Sequence, residues 1–158
     1  MKKIIIILCL LTFVVTNKIF AQNWSNYLQF DGGFGLAYDG IDGYLLQSEY
    51  GKTYKWLDLG LSLAYKSQYK DTSGDINMML NARFDFIKLF KKNSRDSFKI
   101  GGSFGFGTNH GDIGTIGAIG AIGLSYDYCI TTDISIGTFY KYNFIEMGVA
   151  GISVRRNF

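Results

Sequence analysis

From residue 27 onward, apolar and polar side chains change places at almost every position, the period of an extended chain with one face in a nonpolar medium and one in a polar one. The pattern is plainest over Lys55 to Lys66, where Leu57, Leu59, Leu61, Leu63 and Tyr65 oppose Trp56, Asp58, Gly60, Ser62, Ala64 and Lys66. The same alternation predicts a strand over Tyr27 to Tyr38, with Leu28, Phe30, Phe34 and Leu36 against Gln29, Asp31 and Gly35. It predicts another over Gly43 to Tyr50, with Tyr44, Leu46 and Tyr50 against Gln47 and Glu49, although Ser48 interrupts the apolar face. The cluster Asp39-Gly40-Ile41-Asp42-Gly43 and the triplet Gly51-Lys52-Thr53 read as the turns between these strands.

Downstream, the polar stretch Ser67 to Gly74 is a loop, and a fourth strand covers Asp75 to Ile87 with Asn77, Arg83 and Asp85 on its polar face. Lys88 to Asp96 is basic and without period, a longer connection. Ser97 to Thr108 alternates Phe98, Ile100, Phe104 and Phe106 against Lys99, Gly101, Ser103, Gly105 and Gly107. Ile113 to Tyr126 carries glycine at every third position from Gly114 to Gly123 and is compatible on pattern with a helix. Asp112 and Asp127 bound it well short of the roughly 20 residues that a spanning helix requires, and each interior glycine costs a helix about 1 kcal/mol, so strand is preferred. After a turn at Tyr128-Cys129-Ile130-Thr131, Thr132 to Asn143 sets Ile134, Ile136, Tyr140 and Tyr142 against Asp133, Ser135, Gly137, Phe139 and Lys141. The closing stretch, Glu146 to Phe158, sets Ala150, Ile152, Val154, Arg156 and Phe158 against Val149, Gly151, Ser153, Arg155 and Asn157.

Eight such strands, an even number, bring both ends of the wall to one side. The fold predicted is all-β, an eight-stranded antiparallel up-and-down transmembrane β-barrel with its apolar rows facing lipid. Aromatic residues fall at two heights: Phe30, Tyr50, Phe86, Phe98, Tyr126 and Phe158 at one boundary, and Tyr38, Tyr44, Tyr65, Phe106 and Tyr142 at the other. Amphipathic rings prefer such belts. Arg156 faces outward near the rim, where a lipid-facing charge costs about 0 to 1 kcal/mol instead of about 2 to 4 at midplane. A secreted soluble β-sandwich is the competing class, and it would need the outward leucine and isoleucine rows covered by a second sheet.

The start of the chain adds an address. Lys2 and Lys3 precede the apolar run Ile4 to Val15, and Ala21 stands before Gln22, the form of a secretory signal peptide over residues 1–21 with the barrel domain over 22–158. Leu8 before Cys9 does not suit a lipoprotein signal. Removing Lys2, Lys3 and Lys18 lowers the 16 Lys and Arg by three, to equal the 13 Asp and Glu. The mature chain is then neutral, which removes the basic surface that nucleic acid would need. Cys129 alone remains, so no disulfide can form within it. Abundant glycine (20) with no proline and 16% aromatic residues suits a closed barrel with aromatic belts.

The closing strand, ending on Phe158, resembles that of bacterial outer-membrane β-barrels, in which a terminal Phe is the assembly signal. The chain as a whole resembles the small OmpA-membrane-domain or opacity type without an appended periplasmic domain. That resemblance implies location in the outer membrane, contact with its lipid, and handling by the barrel-assembly machinery through the C-terminal strand. It also makes Asp39 to Asp42, Ser67 to Gly74, Asn109 to Asp112 and Asn143 to Ile145 external, where an envelope or extracellular partner would bind, and Lys88 to Asp96 periplasmic.

An eight-stranded barrel is just wide enough for its side chains to fill. The inward acids are Asp31, Glu49, Asp58, Asp85 and Asp133, and the inward bases are Lys66, Arg83, Lys99, Lys141 and Arg155. The expectation is a charge network across the lumen with Arg83 central, because a guanidinium fork can serve two carboxylates. Such a network is a structural lining on one reading and an ion path or ligand site on another. Gly35, Ala37, Ser62, Ala64, Gly105, Gly107 and Gly117 line the external half, which is either a wet vestibule or a tightly closed wall. No catalytic set and no cofactor are expected. His110 is the one histidine, and Asp112 stands where the motif of outer-membrane lipid A deacylases, also small barrels, would want its serine. One histidine with no cysteine partner does not make a metal site. A structural or partner-binding envelope protein is the first expectation, a narrow pore the second and a lipid-modifying enzyme the third.

Overall fold

Among the described residues the alternation is realised as eight strands, and one short helix interrupts them: β1 (Trp24–Ala37), β2 (Gly40–Tyr54), β3 (Leu57–Gln68), β4 (Gly74–Asp85), α1 (Phe86–Phe90), β5 (Asp96–Asn109), β6 (Asp112–Cys129), β7 (Ile134–Asn143) and β8 (Gly148–Asn157). The computed structural model describes residues 24–37, 40–68, 74–109, 112–143 and 148–158. The expected signal segment 1–21, Tyr38, His110 and the tips of the four expected external loops lie outside the described residues.

Each strand pairs antiparallel with the next, and β1 pairs with β8 from Tyr27 opposite Asn157 to Leu36 opposite Gly148, closing the barrel. Closure leaves no row of unpaired backbone groups, the condition a sheet must meet inside lipid. One more residue joins the seam: Asn26 and Phe158 exchange both backbone hydrogen bonds at 3.0 Å.

The outer wall is apolar and the inside polar, the reverse of a water-soluble barrel. Leu80, Ile116, Ile152 and Phe104 are each at least 60% exposed, whereas Glu49, Asp58, Lys99 and Arg155 are buried. Tyr44 packs on Tyr65 at one end of the wall, with ring centroids 6.0 Å apart, and Tyr50 on Phe158 at the other, at 6.4 Å. Trp24 with Tyr54 and Trp56 with Phe84 add rings to the second belt. Phe30, expected at that boundary, instead stands opposite Ser48 and Val154 near the middle of β1.

Several boundaries differ from the sequence expectation: β2 already begins at Gly40, inside the expected turn Asp39 to Gly43, β4 stops at Asp85 and not Ile87, and in the next two cases ladder pairing outlasts the visible pattern. Gly51-Lys52-Thr53 is not a turn; β2 continues to Tyr54, paired with Leu57, and the chain reverses at Lys55-Trp56 with Lys55 in the left-handed region (φ 49°). The glycine-rich sixth segment is a strand, as preferred, but runs to Cys129, so the turn falls at residues 130–133 and β7 begins at Ile134. The β4–β5 connection is not wholly irregular. Asp85 accepts the backbone N–H of Lys88 at 3.0 Å, the N-cap contact that starts α1.

Candidate functional site

The lumen holds the buried polar chemistry, and its contents fall into three layers. The first lies at the end where β1 begins and β8 finishes. Arg155 on β8 reaches across to Asp58 on β3, donating from Nη1 to Oδ2 at 2.5 Å and from Nη2 to Oδ1 at 3.3 Å. Its Nη2 also donates to the Thr53 hydroxyl, which in turn donates to Asp58 Oδ1 at 2.7 Å. Lys99 on β5 stands 3.0 Å from Asp58 and 3.0 Å from Asp127 on β6. Asp85 belongs to the rim of this layer, accepting from the Ser97 hydroxyl at 2.5 Å.

The second layer is centred on Arg83. Its Nη2 donates to Glu49 Oε1 at 2.5 Å and to the Tyr27 hydroxyl at 3.1 Å, while that hydroxyl donates to the same Glu49 oxygen. Tyr27 is wholly buried and ties the two layers together, since the Arg155 guanidinium lies over its ring at 3.9 Å from the centroid. Slightly further along, Lys141 Nζ donates to Asp31 Oδ2 at 2.7 Å and to Gln47 Oε1 at 2.9 Å, and Gln29 donates to Asp31 at 2.7 Å.

Toward the opposite end the lumen turns apolar. Leu45, Ala64, Met79, Phe139 and Val149 form one buried cluster with Ile119 against it. The small residues of the wall are what make room for it. A Cβ on Gly33 would lie 3.0 Å from Phe139 Cζ, and one on Gly107 would run into Ile119. Around Phe139 and Ile119, then, large side chains stand opposite small ones, with the Asn77 amide also against Gly107, whereas Gly117 faces open space. A cavity of about 20 Å³ bordered by Gln29, Asn81, Arg83, Ser125 and Lys141 is room for about one water molecule.

Of the residues expected in the lumen, Asp31, Glu49, Asp58, Lys66, Asp85, Lys99 and Arg155 are buried there, with Arg83 and Lys141 partly so. Asp133 is not among them. It lies exposed in the turn after β6, because β7 starts one residue later. Asp127 takes the carboxylate position beside Lys99 instead. Its signal was present in the sequence: the outward row Ile122, Leu124, Tyr126 and Tyr128 places Asp127 inward once the strand is carried to Cys129. For Tyr27 and the apolar cluster the alternation gives the inward face but no sign of the contacts they make, since none of them carries a charge that calls for a partner. Among the described residues, no group of three or more His, Cys, Asp or Glu is arranged to hold a metal.

A closed eight-stranded antiparallel barrel with an apolar outer wall and a polar network inside is an architecture that solved structures also contain. The chain has the fold of small transmembrane β-barrels. Similar solved structures include neisserial surface protein A (16% identity, 85% of this chain and 96% of that one, TM-score 0.55). The N-terminal β-barrel domain of Pseudomonas aeruginosa OprF is similar at 16% identity (85% and 97%, TM-score 0.60). A de novo designed transmembrane β-barrel is similar at 11% identity (85% and 95%, TM-score 0.63). No family model and no curated protein matches the chain. At such low identity, what these structures share with this chain is the fold alone.

Proposed function

We propose that the protein is an integral outer-membrane β-barrel, exported by a leader cut after Ala21, whose wall and plugged lumen serve a structural or partner-binding role in a Gram-negative envelope. One observation carries the reading: two dissimilar barriers, Arg155–Asp58–Lys99 and Leu45–Met79–Phe139, fill the barrel in series. A hydrated ion passing the first would have to displace bonded charges, and at the second it would give up water against apolar side chains, with buried Lys66 beside Leu45 adding a positive charge. Similarity to outer-membrane barrels supports the location. The orientation that follows puts the Arg155 layer toward the periplasm and makes the expected external connections, Asp39 to Asp42, Ser67 to Gly74, Asn109 to Asp112 and Asn143 to Ile145, the surface for a partner. Phe158 then serves as the assembly signal.

The mature chain, refolded in detergent and inserted into a planar bilayer, is expected to pass no current above leak. Steady single-channel steps that change on replacing Arg83 or Lys141 would overturn the plugged reading in favour of a narrow pore.

A further inference from the structure

The β4–β5 connection is where the apolar wall meets a cluster of uncompensated positive charge. Positions i, i+3 and i+4 share a helix face, so Phe86, Leu89 and Phe90 lie together on α1, and all three are exposed, Phe90 to 85%. Three large apolar side chains on a five-residue helix at the rim are costly in water. They are continuous with the lipid-facing wall, where Phe84 stacks on Trp56 at 5.6 Å. Immediately beyond them, Lys91, Lys92 and Arg95 are exposed, and none forms an ion pair among the described residues. The nearby acids are engaged elsewhere, Asp85 with Ser97 and Asp96 with the Tyr126 hydroxyl at 2.5 Å.

An apolar helical face joined to the wall and flanked by free cations is the arrangement of a helix lying in a membrane interface. We propose that α1 and the turn after it are an interfacial anchor: Phe86, Leu89 and Phe90 enter the edge of the acyl region, and Lys91, Lys92 and Arg95 bind the phosphates of anionic phospholipids in the adjacent leaflet. The inference rests on the outer-membrane reading and adds a lipid preference to it. Each basic side chain near an anionic surface strengthens binding by about fivefold, so three of them give a preference large enough to detect.

The mature protein, folded in micelles containing equal phosphatidylglycerol and phosphatidylcholine, is examined by native mass spectrometry. Bound phosphatidylglycerol is expected to exceed phosphatidylcholine by about threefold or more and to fall to parity in the Lys91→Gln, Lys92→Gln, Arg95→Gln variant. Parity in the wild type, or a preference kept by the variant, overturns the anchor. A second measurement does not depend on that variant folding. Phe90→Trp, in a background of Trp24→Phe and Trp56→Phe, is expected to be quenched by lipid brominated on its acyl chains and shielded from aqueous acrylamide; the reverse overturns the anchor. Insertion into plain phosphatidylcholine vesicles, read by protease protection, separates the two readings. A protein that inserts without lipid preference loses only the anchor, whereas one that inserts into no vesicle loses both.

Discussion

The guanidinium of Arg155 lies 3.9 Å from the centre of the Tyr27 ring, and the hydroxyl of the same tyrosine meets Glu49 and Arg83. One side chain thus holds two charged layers together, by its face and by its tip. The two contributions are separable. Tyr27→Phe removes only the hydroxyl and is expected to cost about 1.5 to 3 kcal/mol, the range for a hydrogen bond to a charged group. Tyr27→Leu also removes the ring beneath Arg155 and is expected to cost about 2 kcal/mol more. Urea unfolding in lipid vesicles gives both values, and equal losses would show that the ring contributes nothing.

Arg83→Ala leaves Glu49 buried without its cation, for which about 3 to 5 kcal/mol is expected. Replacing both, as Arg83→Leu with Glu49→Leu, removes the stranded charge and is expected to recover most of that loss. The temperature at which the folded form disappears on a gel orders the three proteins. An Arg83→Ala variant as heat-resistant as wild type would show that the pair is solvated.

Gly60 has no side chain because the Tyr27–Glu49 contact occupies its place: a Cβ there would strike the Tyr27 hydroxyl and Glu49 Oε1. Both atoms are held by Arg83 and do not swing away freely. Gly60→Ala is therefore expected to cost about 1 to 3 kcal/mol, and less when Tyr27→Phe has already removed one of the obstructing atoms. A double-mutant cycle measures the coupling; additive losses would mean the two residues do not meet.

These relationships also mark how far the sequence carries. Period-two alternation names the face of nearly every residue, because a pleat turns each side chain by half a revolution whatever its neighbours do. It does not say where a strand stops. Asp127 and Asp133 both stood near a strand end, and only pairing of β6 to β7 as far as Cys129 opposite Ser135 puts one in the lumen and the other in the turn. Nor does it say which inward residues meet. Lys141 and Asp31 are 110 residues apart, and their contact depends on the stagger that closure imposes across the barrel. The apolar plug was hidden for a related reason: Leu45, Met79, Phe139 and Val149 sit singly on four different strands and become a cluster only when those strands surround one axis.

Two barriers in series make a specific statement about conductance. Leu45→Ala with Phe139→Ala opens the apolar plug but leaves Arg155, Asp58 and Lys99 joined, so no current above leak is expected despite a loss of about 3 to 5 kcal/mol for the phenylalanine alone. Adding Arg155→Ala and Lys99→Ala is expected to produce channel steps. Current in the first variant would place the whole resistance in the plug.

Phe158 is exposed, with its ring tilted against that of Tyr50 at 6.4 Å between centroids, whereas its backbone closes the seam with Asn26. Phe158→Ala keeps the backbone bonds and is expected to shift unfolding in vesicles by less than about 1 kcal/mol, while lowering the amount assembled in cells several-fold. A large loss of stability with normal assembly would make Phe158 a wall residue and nothing more.

Arg155 and Asp58 come from strands separated by β1 and β2, and Lys99 links Asp58 onward to β6, so these bonds run across the bore instead of around it. A thin closed sheet pressed sideways by a bilayer flattens into an ellipse unless something spans its diameter. Here charged side chains act as tie-rods, and the roundness of the cylinder becomes a property of its contents. A neighbour pushing on one flank would then be felt at the opposite flank, because the load passes through Asp58 from one side of the tube to the other.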